Sequence, residues 1–335
     1  MSGRRVATIT IVMIDLDEVY APIAGALDRV RDIFDEELAS QWPFVRDLCG
    51  HIQSYRGKML RPALVLLSAR ACGRLTRDHV VLAAVVELVH MATLVHDDVL
   101  DEAEMRRRAP TINRYQGNEA AVLLGDFLIS HAFHLCSSLD SQEASRQIGA
   151  ATNAVCEGEL MQIHHRGDIR LTRDQYLAII SLKTASLTRV CCSLGARFAK
   201  GRTACIRALE NYGHSLGMAF QIVDDVLDIV GSETQMGKTL GRDLDKAKLT
   251  LPLIHFVSNA PRRQRERAAA VLRNGSPDRA AVLRELLAGS DSIGVAMDVA
   301  KDYVRAALDS LDVLPASAAR NSLQMMAEFT TARQF

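Results

Sequence analysis

The chain has little of what marks a β-rich or nucleic-acid-binding protein. It contains only 8 prolines among 335 residues, and no alternating apolar–polar stretch is long enough to predict a sheet. Lysine plus arginine (40) equals aspartate plus glutamate (40), so the basic excess typical of nucleic-acid-binding proteins is missing. We therefore expect a helical protein with no nucleic-acid partner.

Cysteine pairs and long apolar runs are also scarce. The 7 cysteines form no CxxC pair, which predicts reduced core residues in a cytoplasmic protein. No apolar N-terminal run is followed by a cleavage site, so no signal peptide is predicted. The longest apolar run, 80–95, contains Glu87 and His90. It is predicted to be too short and too polar to span a bilayer.

Helical periodicity dominates what is present. No long linker or fixed repeat divides the chain, so we predict an all-α fold with one helical domain over residues 1–335. Residues 1–15 are expected to form a disordered tail, in which 7–14 also fit a short strand. Segments with apolar residues at i, i+3 and i+4 spacing are 27–38, 63–72, 80–95, 120–139, 206–230 and 295–311.

One motif, Asp-Asp-Val-Leu-Asp, occurs twice, at 97–101 and 224–228, each time at the end of an apolar helical segment. On a helix its first and last aspartates lie on one face, where their negative charges repel. Magnesium removes such repulsion and prefers oxygen ligands. A single copy would also fit an acidic, solvated helix end, but two copies predict a magnesium site between two acidic walls.

Basic residues flank both motifs. Each one alone is typical of a solvated surface, but as a set they are able to surround an anionic ligand. A diphosphate fits this role because it also supplies oxygens to magnesium. The set comprises Lys58, Arg61, Arg106, Arg107, Arg108, Lys183, Lys238 and Lys248.

These motifs resemble those of the trans-isoprenyl (polyprenyl) diphosphate synthases, long-chain type, in the family's order over roughly residues 50–260. The last motif departs from the family's GKPTLP, because Ala247 replaces the glycine and Leu249 the proline. The resemblance implies an isoprenoid-synthase-like helical bundle around a central cavity. The matching segments are GKMLRP at 57–62, the first aspartate motif with its arginines at 97–107, GDFL at 125–128, EGE at 157–159, KT at 183–184, FQIVDDVLD at 220–228, GK at 237–238 and KLTLP at 248–252.

The resemblance also implies roles for single residues. About three magnesium ions with a bound diphosphate are expected. Their direct ligands are Asp97, Asp101 and Asp224, while Asp98, Asp225 and Asp228 act through water or by supporting the direct ligands. The allylic diphosphate contacts Arg106, Lys183, Thr184, Gln221, Lys238 and Lys248, the last five also being the expected catalytic residues. Isopentenyl diphosphate contacts Lys58, Arg61, His90 and Arg107, although by periodicity alone His90 also fits a core histidine.

The implied reaction is a head-to-tail condensation of isopentenyl diphosphate with geranyl, farnesyl or geranylgeranyl diphosphate, giving an all-trans product. Short-chain members place a bulky aromatic just before the first motif, where this chain has Ala92 and Thr93, with Val89 one turn further. An open apolar path predicts a long product, roughly C30 to C50, which Ala92→Phe should shorten. Ala92 equally fits an ordinary helix-packing residue.

Two other functions are weighed against this one. A class I terpene cyclase shares the first motif but typically lacks the second and lines its pocket with aromatics, which make up only 5% here. A non-catalytic subunit of a prenyl synthase typically loses aspartates, and both motifs are intact here. Family members are usually homodimers, and the apolar segment 120–139 is the expected interface.

Overall fold

The computed structural model describes residues 15–54, 57–107, 109–231, 242–274 and 278–332, and within them nearly every element is a helix. The first nine helices are α1 (Leu16–Tyr20), α2 (Ala24–Glu37), α3 (Pro43–Ser54), α4 (Leu60–Cys72), α5 (Arg77–Leu100), α6 (Ile112–Gln116), α7 (Asn118–Ser137), α8 (Gln142–His164) and α9 (Arg173–Ile180). The remaining described helices are α10 (Ser186–Phe198), α11 (Thr203–Val230), α12 (Arg242–Asp245), α13 (Leu251–Asn259), α14 (Arg262–Asn274), α15 (Arg279–Ala288), α16 (Ser292–Ser310) and α17 (Ala318–Ala332).

Short elements complete the chain. Two 3-10 turns lie at Ala21–Ile23 and Leu311–Val313, and a π-helical turn, Ser181–Ala185, joins α9 to α10. The strands β1 (Met105–Arg106) and β2 (Ala109–Pro110) form an antiparallel hairpin directly after α5. The all-α prediction is thus confirmed, with this hairpin as an addition that the sequence pattern did not show.

Two helices carry the aspartate motifs, and both lie in the core. Helix α5 packs against α2, α4 and α7, and α11 packs against α10 and α16. Of the two apolar core clusters, one gathers α2, α4, α5, α7 and α10 and the other gathers α9, α13, α15 and α16. Helix α11 contributes to both clusters, so it ties the two halves of the bundle together.

Glycines set how closely α11 approaches its neighbours. A Cβ atom on Gly217 would lie 2.3 Å from Thr188 Oγ1 and 2.7 Å from Ala185 Cα. Real Cβ atoms do not approach other atoms so closely, so only glycine lets α11 touch the start of α10 and the π-helical turn. This contact brings the second aspartate motif and the Lys183–Thr184 pair to one end of the bundle.

The six helices expected from periodicity are confirmed to within a few residues. The sequence pattern missed α8, which spans 23 residues, because its polar residues blur its apolar stripe. The expected strand or tail at 7–14 lies outside the described residues. Pro62 lies in the first turn of α4, where a missing N–H breaks no intrahelical bond.

The prediction that the apolar run at 80–95 is too short and too polar to span a membrane is wrong on both counts. By length and composition alone, three helices are able to cross a bilayer: Arg77–Leu100, Asn118–Ser137 and the continuous helix Arg173–Phe198. Their apolar windows are 78%, 33% and 56% buried inside the fold. Core packing therefore accounts for the apolarity of α5, whereas much of the α7 window stays on the surface.

The cysteine prediction holds in part. All seven cysteines are free, and five of them are buried. Cys72 is half-buried, and Cys156 on α8 is exposed, so the expectation of a core residue is wrong for Cys156. Its side chain lies on the turn that precedes the EGE segment at 157–159.

Candidate active site

A cleft of about 890 Å³ opens between the ends of α5 and α11. Both aspartate motifs and most of the predicted cations line it. Lys238 lies outside the described residues, and Val89 and Ala92 are fully buried in the core. The predicted residues that line the cleft are Lys58, Arg61, His90, Thr93, Asp97, Asp98, Asp101, Arg106, Arg107, Lys183, Thr184, Gln221, Asp224, Asp225, Asp228 and Lys248.

In the first motif, the middle aspartate is bound by an arginine. Arg106 Nη2 donates to Asp98 Oδ1 at 2.7 Å and Arg106 Nε donates to Asp98 Oδ2 at 2.9 Å. The β1–β2 hairpin turns the chain back over the end of α5 and so delivers Arg106 to this carboxylate. Such a two-pronged contact fixes the guanidinium plane. Asp98 is 1% exposed, which makes it a support of the site rather than an open ligand.

The first aspartate of this motif faces a buried lysine. Lys183 Nζ lies 3.9 Å from Asp97 Oδ2, donates to Gln162 Oε1 at 2.9 Å and forms an ion pair with Glu159. Burial acts to lower the pKa of Lys183, but Asp97 and Glu159 outweigh it and raise that pKa. Burial raises the pKa of Asp97, and Glu159 adds to the rise while Lys183 opposes it. Burial is therefore the main cause of the raised pKa of Asp97.

Lys183 owes its place to a close backbone contact. It lies on the π-helical turn Ser181–Ala185, and such turns are frequent at functional sites. A Cβ atom on Gly158 would lie 2.6 Å from the backbone nitrogen of Lys183. Glycine at position 158 therefore lets α8 touch this turn directly, which brings Glu159 to Lys183.

The last aspartate of the first motif is held by a loop from the other half of the chain. Lys248 Nζ lies 3.3 Å from Asp101 Oδ2 and 3.3 Å from Asp243 Oδ1. Burial acts to raise the pKa of Asp101, but Lys248 outweighs it, and the pKa of Asp101 is lowered. The preceding Ala247 has a φ of 53°, a left-handed conformation that favours glycine. The family's glycine is thus replaced without loss of the turn, and Leu249 is buried.

The second motif has neutral partners. Asp225 accepts from Tyr176 OH at 2.6 Å and from Gln221 Nε2 at 2.7 Å. Gln221 Oε1 in turn accepts from Thr184 Oγ1 at 2.7 Å. Burial and the charge of Asp243 raise the pKa of Asp225 to about 7, against the opposing effect of these hydrogen bonds. Thr184 and Gln221 here bond to each other, and their contact with a diphosphate stays a prediction.

The other side of the cleft is basic. Lys58, Arg61, His90 and Arg107 line it, as predicted for the second diphosphate. Burial, followed by the charges of Arg61 and Arg107, lowers the pKa of His90 well below its usual value. His90 is therefore neutral at pH 7 and able to donate or accept a hydrogen bond. It lines the cleft and is not an ordinary core histidine.

Arg107 lies directly over a glycine of the GKMLRP segment. A Cβ atom on Gly57 would lie 2.6 Å from both terminal nitrogens of Arg107. Arg107 itself has a φ of 49°, a conformation that costs about 1 kcal/mol for a residue with a side chain. The hairpin turn thus stores strain that places this guanidinium at the cleft.

Sequence reasoning assigned no role to several residues that the structure brings to the site. Glu159 had a signal, since it belongs to the EGE segment, but its partner Lys183 is 24 positions away. Tyr176 and Gln162 carried no signal at all. Asp243 lines the cleft and donates its backbone N–H to Asp228 Oδ2 at 3.1 Å. Asp243 comes close to Asp228 because α12 packs against α11, and the sequence pattern does not show this packing.

The donor set fits a hard divalent cation that also binds its substrate. Carboxylates of both motifs line one cleft, and oxygen is the ligand atom that magnesium and calcium prefer. Within the described part of the chain, no three His, Cys, Asp or Glu side chains are placed to hold an ion by themselves. Magnesium typically takes one or two carboxylates and completes its shell with water and phosphate oxygens, so this spacing suits a metal that arrives with a diphosphate.

Comparison with known proteins gives a consistent answer. The family model described as polyprenyl synthetase matches residues 43–288, more than half of the chain. The octaprenyl diphosphate synthase of Haemophilus influenzae is 34% identical, over 96% of this chain and 98% of that protein. A short chain isoprenyl diphosphate synthase of Methanothermobacter thermautotrophicus is 35% identical, over 85% and 89%.

Solved structures agree with the sequence matches. The crystal structure of polyprenyl synthase from Caulobacter crescentus, complexed with calcium and isoprenyl diphosphate, superposes with a TM-score of 0.90 at 33% identity. The match covers 95% of this chain and 98% of that one. The fold is therefore the isoprenoid-synthase helical fold, and the activity is that of a prenyltransferase. The chain belongs to the polyprenyl synthetase family.

Proposed function

We propose that the protein is a magnesium-dependent synthase that condenses isopentenyl diphosphate with an allylic diphosphate to give a long all-trans polyprenyl diphosphate. The observation that carries this proposal is the division of one cleft into an acidic side and a basic side. The acidic side, with Asp97, Asp101 and Asp224, suits a metal-bound diphosphate. The basic side, with Arg61 and Arg107, suits a diphosphate without metal.

The side chains divide the work by charge. Bound metal ions supply Lewis-acid stabilisation of the departing diphosphate. Lys183 and Lys248 add fixed positive charge beside Asp97 and Asp101, where negative charge develops as the allylic C–O bond breaks. The basic side orients isopentenyl diphosphate so that its double bond attacks the allylic cation. The proton lost afterwards goes to the departing diphosphate.

The proposed product is long, roughly C30 to C50, on the argument that the small side chain of Thr93 leaves the path open. Thr93 lines the cleft one turn before Asp97, and further apolar lining comes from Leu94, Val155 and Leu216. The primer is geranyl, farnesyl or geranylgeranyl diphosphate. The related octaprenyl and short chain synthases are almost equally identical to this chain, so Thr93 in the cleft lining, rather than overall identity, supports the assignment.

A bulky side chain at this place should therefore shorten the product. We expect Thr93→Phe to move the main product by at least two isoprene units, because its ring would enter the cleft that Thr93 lines. Thr93→Val is the matched control, since it keeps the volume and should leave the length unchanged. Product sizing by reversed-phase chromatography makes the measurement. An unchanged length in Thr93→Phe would contradict the proposed path.

We further propose a cytoplasmic homodimer that associates through α7. The exposed stripe of this helix includes Val122 (42% exposed), Leu123 (68%) and Phe133 (38%). Exposed apolar side chains clustered on one helix are typical of an interface. Light scattering after size exclusion tests this, and the mass of a single protomer at micromolar concentration would contradict it.

One incubation tests the central proposal. The purified protein is mixed with farnesyl and isopentenyl diphosphates, with magnesium or with a chelator. Elongated diphosphate that forms only with magnesium supports the synthase. Cyclic hydrocarbon would favour a terpene cyclase, and no turnover would favour a non-catalytic subunit.

A further inference from the structure

An arginine that is not among the residues lining the cleft faces the last aspartate of the first motif. Arg166 follows α8, and its Nη2 atom is 3.7 Å from Asp101 Oδ1. Asp101 is among the residues that line the cleft, whereas Arg166 is not. Arg166 lies outside every motif used above, so neither the sequence pattern nor the proposed reaction gives it a role.

Three polar atoms at this contact have no hydrogen-bond partner within the described residues. They are Nε and Nη2 of Arg166 and Oδ1 of Asp101, and all three are buried. Nε and Nη2 form the edge of the guanidinium that binds both oxygens of a carboxylate, or one oxygen in a fork. A buried polar atom without a partner costs about 1–3 kcal/mol. At 3.7 Å the two groups attract by charge but fall short of a hydrogen bond.

The surrounding backbone holds these groups together. Gly167 N donates to Ala247 O at 2.9 Å, which joins the turn after α8 to the loop that carries Lys248. Lys246 Nζ from the same loop donates to Leu100 O at 3.1 Å, at the carboxyl end of α5. Two loops are thus fastened to each other and to the end of the helix that presents Asp101.

The two oxygens of Asp101 therefore meet different cations. Lys248, which lines the cleft, is 3.3 Å from Oδ2, and Arg166, outside the cleft, faces Oδ1. A short movement of either side chain turns the outer contact into a hydrogen bond. That bond fixes the rotation of the carboxylate about its Cβ–Cγ axis, which decides which oxygen faces the cleft.

We propose that Arg166 is a positioning residue for Asp101, holding Oδ1 from outside so that Oδ2 is presented to the cleft. This inference rests on the proposed function, in which Asp101 binds magnesium. Groups that orient a metal ligand typically contribute about 10- to 100-fold in metal affinity. We therefore expect Arg166→Ala to raise the magnesium concentration needed for half saturation about 10-fold.

The test follows metal binding rather than turnover. The full chain is titrated with magnesium at fixed inorganic pyrophosphate, and the rise in melting temperature gives the half-saturating magnesium concentration. Arg166→Lys keeps the charge but loses the fork, so it should fall between wild type and Arg166→Ala. Arg170→Ala is the matched control, because Arg170 is 86% exposed, lies near the same turn and pairs only with Asp168 among the ion pairs of the described chain.

A double variant separates positioning from a general effect of charge. If Arg166 acts through Asp101, Asp101→Asn/Arg166→Ala should need no more magnesium than Asp101→Asn alone. Equal half saturation in Arg166→Ala and Arg170→Ala, or additive effects in the double variant, would overturn the inference while the proposed function stands. Absence of any magnesium-dependent shift in wild type would overturn the proposed function and this inference with it.

Discussion

The two copies of Asp-Asp-Val-Leu-Asp have the same sequence and different neighbours. In the first copy the middle aspartate, Asp98, is bound by Arg106 through two N–H donors. In the second copy the middle aspartate, Asp225, has a phenol and an amide as its donors. The middle aspartate of the first copy is thus paired with a protein cation, while that of the second is held by uncharged donors. The shared sequence supplies carboxylates in both copies, but the neighbouring helices determine which groups pair with them.

The difference suggests how the two aspartate motifs share the binding of a metal-bound diphosphate. Protein cations already stabilise the first motif, so it is held in place before any substrate arrives. Asp243 adds a further carboxylate beside the second motif and raises the pKa of Asp225. Burial and repulsion therefore act together on Asp225, whereas Asp98 in the first motif has Arg106 beside it.

The largest expected effect tests whether both walls are needed at all. Asp97→Asn and Asp224→Asn should each lower turnover about 100- to 1,000-fold, because each removes a charged oxygen that holds the diphosphate complex. Initial rates at saturating substrates and magnesium make the measurement. The exposed Asp298→Asn serves as control, since Asp298 pairs only with Lys301 on the surface among the described ion pairs. If only one of these two variants lost turnover, the two motifs would not both be needed for the reaction.

Stability of the metal-free protein tests the different compensation of the middle aspartates. Asp98→Asn leaves Arg106 without its buried partner and should reduce the free energy of unfolding by about 3 kcal/mol. Asp225→Asn keeps an acceptor for Tyr176 and leaves no cation without its partner, so it should not reduce the free energy of unfolding. Urea unfolding in a chelator provides both values. Equal losses of the free energy of unfolding in the two variants would show that Asp225 depends on its partners as much as Asp98 does.

The same pair should differ in its dependence on pH. The pKa of Asp225 is raised to about 7 in the folded protein, so the folded state binds this proton more tightly than the unfolded chain does. The resulting penalty is complete above pH 7 and disappears as the pH falls toward the carboxyl's usual value. The stability of Asp225→Asn relative to wild type should therefore be highest at pH 8 and decline toward pH 4. If the difference in stability between Asp225→Asn and wild type did not change with pH, the raised pKa of Asp225 would be contradicted.

The smallest expected effect concerns the loop whose Lys248 pairs with Asp101 of the first motif and with Asp243 beside the second. Ala247 adopts a left-handed conformation, so Ala247→Gly should raise the free energy of unfolding by about 0.5–1 kcal/mol. Ala281→Gly is the matched control. Ala281 is exposed in the first turn of α15, where glycine should lower stability by about 0.5–1 kcal/mol. A loss in both variants would mean that the loop is unstrained.

Much of the fold and the outline of the site follow from sequence pattern alone. Apolar spacing predicts α5 and α11, and the repeated motif predicts which ends of these helices matter. Contacts such as Tyr176 with Asp225 could not be predicted, because they join residues 49 positions apart through the packing of α9 on α11. The role of Gly158 was equally hidden, since a glycine in a helical pattern does not reveal which backbone it touches. Lys238, predicted to contact the allylic diphosphate, lies outside the described residues.

The direct contact of Gly158 with the main chain of Lys183 has a consequence for how such an enzyme diversifies. Main-chain contact, not side-chain packing, sets where this lysine lies relative to Asp97. Under the proposed function, substitutions at cleft-lining positions of α5 such as Thr93 are therefore free to reshape the path of the growing chain while the ionising end keeps its geometry. New product sizes then need no renewed optimisation of the bond-breaking step.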